Sequence, residues 1–215
     1  AIGYLLGQAN SGKSTILTKI VYKMYEEEDI GMISNNIEKK YGLKPHLKKF
    51  IVLAPEIDDN FQMEQTDWQL VVEGGRTTFA EKFKNAESDT WTAQMMMSGN
   101  KLPGFKNNSG SVSRRMAVWN FSKTVTDTDT HLDKKLDKEM PIILKLCITA
   151  YLEAVNKNGS KGIWKILPSY FLNNKDVMEQ TTNSLQNFLK SGKVIFDENK
   201  YVPEKVFKQA FNDHC

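Results

Sequence analysis

The chain has 215 residues, with 29 Lys and Arg against 26 Asp and Glu and a formal net charge of +3. That is one ample domain, or one with a small appendage, and the excess is too small to argue by itself for nucleic acid or an anionic membrane. A hydrophobic share of 40%, with Gly at 13 and Pro at 6, excludes a disordered, collagen-like or fibrous chain, and no apolar run approaches the ~20 residues of a membrane span.

The two cysteines, Cys147 and Cys215, cannot supply a disulfide framework and sit in no metal-ligand cluster. A soluble protein of a reducing compartment is expected, and the sequons at Asn107, Asn120 and Asn158 are then chance matches. The chain opens at Ala1 with neither Met nor a signal-peptide pattern, so a parent chain is expected to continue upstream.

Ala1 to Leu6 reads as a buried strand, followed by a glycine-bearing turn and a helix with Ile16, Leu17, Ile20, Val21 and Met24 on one face. After a lysine-rich polar stretch, Phe50 to Ala54 is an unbroken apolar run, as in a parallel sheet covered on both sides. Gln62 to Val72 reads as a helix. Thr77 to Phe83, a polar turn and a second alternating run give a hairpin. Gln94–Ser98 and Met116–Phe121 read as two more core strands, separated by an Asn-, Ser- and Gly-rich loop over Lys106–Ser113. Thr124 to Thr130 reads as a linker, and a helix is expected from Pro141 through Leu152. The rest predicts a helix over Val177–Leu189, a hairpin Val194–Phe196 with Tyr201–Val202, and a helix Val206–Phe211. This tail is either helical or winged-helix-like. The expected division is 1–125 for the core and 126–215 for the C-terminal subdomain.

Gly7-Gln8-Ala9-Asn10-Ser11-Gly12-Lys13-Ser14 fits G-x-x-x-x-G-K-[ST] between a strand and a helix. The glycines let backbone N–H groups converge on phosphate oxygens, and the helix start adds positive potential. Lys13 is expected on the β- and γ-phosphates of ATP and Ser14 on Mg²⁺, with Thr15 completing the segment. A carboxylate should follow a second buried strand, to hold Mg²⁺ and polarise water. Glu56 is the first candidate and Asp58 the second. Asn100-Lys101-Leu102-Pro103 puts Pro where a guanine-reading Asp would stand. Asn100 instead ends a core strand, where its amide could bond both attacking water and γ-phosphate, or could merely cap a turn. Arg114-Arg115 is either a solvated basic edge or, in a ring ATPase, a pair reaching across an interface to transition-state charge. Lys82, Lys84 and Asn85 form a basic finger able to grip a phosphodiester backbone, though read alone an ordinary solvated turn is the better account.

In this order the segments resemble the superfamily 3 helicases of DNA viruses, most closely the poxvirus-type primase–helicases of nucleocytoplasmic large DNA viruses. The carrying residues are Gly7 to Ser14, then Pro55-Glu56-Ile57, then Gly74 to Lys84 as a B-prime segment. Ser98-Gly99-Asn100-Lys101-Leu102-Pro103-Gly104-Phe105 follows as motif C, and Gly110 to Arg115 as the arginine-finger region. The resemblance spans roughly residues 1 to 122. It implies an α/β P-loop NTPase with an AAA+-like central parallel sheet and flanking helices, assembled as a hexamer that hydrolyses ATP between subunits. It further implies Lys82 and Lys84 on a channel hairpin that tracks single-stranded DNA, and Arg114 or, slightly favoured, Arg115 at the neighbour's γ-phosphate. No membrane partner is implied, and the expected location is the host cell cytoplasm. Two departures stand out: Glu56 and Asp58 are not adjacent, and the primase and collar segments are absent. A P-loop small-molecule kinase and a non-motor ATP-dependent DNA-binding switch are the alternative readings.

Overall fold

The computed structural model describes residues 1–36, 42–58, 60–61, 63–81, 84–103, 115–159, 162–182 and 184–214. Five strands, β1 (Ile2–Gly7), β2 (Ile30–Met32), β3 (Ile51–Ile57), β6 (Gln94–Gly99) and β7 (Met116–Phe121), form one sheet in the order β2-β3-β6-β1-β7. Every pairing in it is parallel. Strands β4 (Arg76–Glu81) and β5 (Lys84–Thr90) make a separate antiparallel hairpin between β3 and β6 in sequence.

The apolar runs have their physical reason in two-sided burial. Ile2, Tyr4, Val52, Ala54, Met95, Met97, Met116 and Val118 face one core cluster. Leu5, Ile51 and Leu53 face a second, with Met96, Trp119 and Phe121 packed against it. Consecutive residues thus enter opposite cores, and at ~1.5–3 kcal/mol per buried side chain both faces favour apolar residues. Helices cover both sides, the arrangement of an α/β doubly wound domain.

From Lys13 to Met24 the chain stays helical, with α1 over Lys13–Thr15, π geometry over Ile16–Val21 and a 3-10 turn over Tyr22–Met24. Leu17 from this stretch is fully buried in the second core. Helix α2 (Gln65–Glu73) places Trp68 and Val71 on the first core. Trp91, which is 1% exposed, anchors the base of the hairpin there and donates from Nε1 to the Ala93 carbonyl at 2.8 Å.

The C-terminal region is helical. Helix α3 (Leu132–Asn158) begins nine residues before the expected start, with Pro141 inside it. Two helices, α4 (Ser169–Thr182) and α5 (Ser184–Lys190), stand where one was expected, and α6 (Glu204–Asn212) closes the chain. The hairpin expected over Val194–Val202 does not form: residues 191–203 contain no strand. Ile195 and Tyr201 are 88% and 90% exposed, so no packing surface rewards their extended pairing. Among the described residues no helix is long and apolar enough to cross a membrane.

Helix α4 docks on β7, an outer strand of the sheet. The Asn174 Nδ2 donates to the Val118 carbonyl at 2.8 Å, and the Asn120 N–H donates to the Tyr170 hydroxyl at 2.7 Å. Phe171 meets Trp119 edge-on, and Met178 reaches the first core.

Candidate functional site

The carboxyl ends of β1, β3 and β6 lie side by side, because those strands are parallel and neighbouring. The loop after β1 carries two left-handed residues, Asn10 (φ 58°) and Gly12 (φ 87°), which turn successive N–H groups inward before the helical stretch starts at Lys13. Position 12 needs glycine for its backbone conformation, and the space beside it is open. Lys13 is 7% exposed. Its Nζ donates to the Gln8 carbonyl at 2.6 Å, the Ser11 hydroxyl at 3.2 Å and the Asn100 Oδ1 at 3.2 Å. All three acceptors are neutral, and burial pulls the ammonium's pKa below the ordinary lysine value.

A cavity of about 420 Å³ opens above these groups, lined by Ala9, Asn10, Lys13 and Ser14 from the loop and helix, Glu56 and Asp58 from the end of β3, and Asn100 from the turn after β6. Of the sequence-predicted residues, Gly7, Gln8, Ser11 and Gly12 build the loop behind this lining, and Thr15 lies in α1 outside it.

Glu56 lies within β3 and not after it. The register between β3 and β6 slips between Ala54 and Ile57, where Pro55 has no N–H to pair. The buried Ser98 hydroxyl donates to the Pro55 carbonyl at that slip. Asp58 is engaged locally: its Oδ1 accepts the Asn60 N–H at 2.7 Å, which ties this carboxylate to its own turn.

Asn35 is a lining residue that sequence reasoning missed. Its Nδ2 donates to the Glu56 carbonyl at 3.2 Å, and its Oδ1 accepts the Asp58 N–H at 3.0 Å. The side chain thereby prolongs the β2–β3 ladder by one rung and holds the carboxylate segment. The only signal was a polar Ser34-Asn35-Asn36 run after a short apolar one.

Arg115 lies at the other end of the sheet. It precedes the first residue of β7, about 20 Å along the strand from the cavity end at the usual rise per residue. Its guanidinium pairs with Glu73, the last residue of α2, next to the base of the hairpin. Arg115 therefore cannot serve its own chain's cavity. Lys84 opens β5 opposite Glu81. Arg114 and Lys82 fall outside the described residues, as do Gly104, Phe105 and the segment Gly110 to Ser113.

The donor set fits a Mg²⁺-bound polyphosphate. A buried ammonium on neutral oxygens, an inward-turned loop and an exposed Ser14 hydroxyl all complement anionic oxygen. Among the described residues no group of three or more His, Cys, Asp or Glu converges on one point. A divalent ion here would rely on ligand oxygens and water, the usual manner of Mg²⁺.

The model of a family of unknown function, DUF5906, matches residues 5–115. The chain belongs to that family. The DUF5906 match runs from within β1 to Arg115 and so contains the loop, Glu56, the hairpin and Asn100. No curated protein matches the chain. A solved A-form apo structure of the NrS-1 C terminal region superposes with a TM-score of 0.53 at 12% identity, over 100% of this chain and 53% of that one. A second structure of that region, numbered 305–718, gives 0.46 at 17% identity over 63% and 32% of the two chains. JCV Helicase bound to a thiazolopyridine-phenoxy acetamide gives 0.45 at 12% identity over 91% and 57%. The DUF5906 chain thus spans between about a third and just over half of these solved chains. The NrS-1 superposition at 0.53 agrees with the α/β P-loop NTPase-like fold described above and bears on fold alone.

Proposed function

We propose that this DUF5906 chain is the ATP-hydrolysing core of a DNA helicase that works as a ring and would use Mg²⁺ to offset charge on the transferred phosphoryl group.

 The observation that carries this reading is the meeting of Lys13, Ser14, Glu56 and Asn100 around one cavity at the carboxyl ends of three neighbouring parallel strands.

Lys13 would exchange its neutral acceptors for phosphate oxygens, whose negative charge offsets the desolvation of its ammonium. The Ser14 hydroxyl would hold the metal from the protein side. Glu56, exposed at the rim, orients the attacking water, with Asp58 as the second carboxylate beside it. Once Lys13 turns away, the Asn100 amide is released to bond water and γ-phosphate. Arg114 or Arg115 would act on a neighbouring subunit's cavity, a placement that the position of Arg115 at the far end of its own sheet supports. Lys82 and Lys84 would grip the backbone of a single DNA strand from the hairpin.

The test is steady-state ATPase with and without single-stranded DNA, beside mixtures of wild type with Arg115→Ala. Stimulation by DNA, and mixed assemblies less active than the average of their parts, are expected. Slow turnover that ignores DNA and adds linearly in the mixtures would leave a kinase or a non-motor switch.

A further inference from the structure

Tyr4 sits in the middle of β1, paired with Met97 of β6 and Val118 of β7, and is fully buried. A phenol among aliphatic strand residues costs free energy unless its hydroxyl finds a partner. Here the partner lies far away in sequence: Tyr4 Oη donates to the Lys101 carbonyl at 2.6 Å. Burial also pushes the phenol's pKa above its ordinary value, in keeping with a hydroxyl held as a donor among apolar neighbours.

The bond lands on the turn that leaves β6. A Cβ at Gly99 would lie 2.3 Å from Tyr4 Oη and 2.2 Å from the Ile57 carbonyl oxygen, so the phenol tip and the end of β3 both close in on Gly99 at the start of this turn. Asn100 projects from the same turn to Lys13 Nζ at 3.2 Å. The turn is thus fastened from beneath by Tyr4 and presents Asn100 above.

We propose that Tyr4 is a positioning residue, whose hydroxyl fixes the Gly99–Lys101 turn and so aims the Asn100 amide into the cavity. Its effect on turnover rests on the ATPase reading above, whereas its effect on the turn does not. Three variants of the 215-residue chain test it: Tyr4→Phe, Asn100→Ala and the two combined. Hydrogen exchange without nucleotide should show faster exchange of the amides of residues 99–102 in Tyr4→Phe, with the rest of the sheet unchanged. In steady state, kcat for ATP should fall about tenfold with KM within about twofold, and the double variant should be no slower than Asn100→Ala alone.

Unchanged exchange at residues 99–102 would overturn the proposal, as would losses that multiply in the double variant. If Tyr4→Phe fails to fold, 3-fluorotyrosine at position 4 keeps the ring and strengthens donation. Slower exchange at the same amides is then expected, and no change would overturn the proposal. A wild-type chain without ATP turnover would instead refute the ATPase reading, and exchange at the turn would decide the role of Tyr4 by itself.

Discussion

The cavity rim and helix α3 both touch the segment that follows β1, and they hold it by different physics. At the rim the contacts are buried and polar: Lys13, Ser98 and Tyr4 are 7%, 0% and 0% exposed, and each bonds main-chain or amide oxygen. Helix α3 buries none of its 27 residues. It meets the same helical stretch through the exposed ion pairs Lys19–Asp133, at 2.8 Å, and Lys23–Asp137. Buried hydrogen bonds are costly to leave unmade and therefore fix geometry, whereas exposed ion pairs contribute little. The difference teaches that the position of Lys13 is set from within the sheet, not by the helix outside it.

Replacing Lys13 tests this most severely. Lys13→Met should cut ATP turnover about a thousandfold, the scale of losing a charged group at a phosphoryl-transfer site, while the melting temperature holds or rises as a desolvated charge is removed. A marked fall in melting temperature would mean that the ammonium is structural and would blur the comparison. Gly99→Ala should come next, costing about 3 kcal/mol in urea unfolding, because the added Cβ meets backbone and a buried phenol that cannot yield. Gly162→Ala, whose Cβ would meet nothing within 4 Å, is the matched control and should stay within about 0.5 kcal/mol.

The smallest effect is expected on α3. Lys19 holds the Asp133 carboxyl below its ordinary pKa of 3.8. A stabilisation of that sign is present above 3.8 and is lost as pH falls through the depressed value. With both groups in solvent it should be too small to see. Stability curves of wild type and Asp133→Asn, followed by circular dichroism across that range, should coincide. Divergence would show that α3 is held more firmly than its exposure implies.

Much of the sheet was legible because two-sided burial writes itself as apolar runs: β1, β3, β6 and β7 fall, to within a few residues at their ends, where Ala1–Leu6, Phe50–Ala54, Gln94–Ser98 and Met116–Phe121 predict them. The loop between β1 and α1 was legible because its glycine, lysine and serine spacing has few structural alternatives. Strand β2 was not, since Ile30-Gly31-Met32 is too short to display a period and carries a glycine. The first turns of α3 were hidden for another reason. Leu132, Leu136 and Met140 lie there at helical spacing, but they are few and stand among the charged Asp133, Lys134, Lys135, Asp137, Lys138 and Glu139, so Pro141 looked like the helix start.

In the site itself, Lys13, Ser14, Glu56, Asp58 and Asn100 were readable as residue types at strand ends. Asn35 and Tyr4 were not. Each acts through a side chain that bonds the main chain of a distant segment, and only the fold brings those partners together. The tail misled in the opposite direction. Val194-Ile195-Phe196 and Tyr201-Val202 have strand-forming residues but no surface to pair on, and propensity without burial builds no hairpin.

The docking of α4 on β7 has a consequence for how copies of this chain can associate. A bare outer strand is a template for lateral growth, because its unpaired amides recruit any extended segment that comes alongside. Here Tyr170 and Asn174 occupy the Asn120 amide and the Val118 carbonyl with side chains, which bond as a strand would but offer no further row to copy. The opposite margin, β2, is only three residues long. Association by sheet extension is discouraged on both sides, which leaves helices, loops and the hairpin as the surfaces through which subunits can meet.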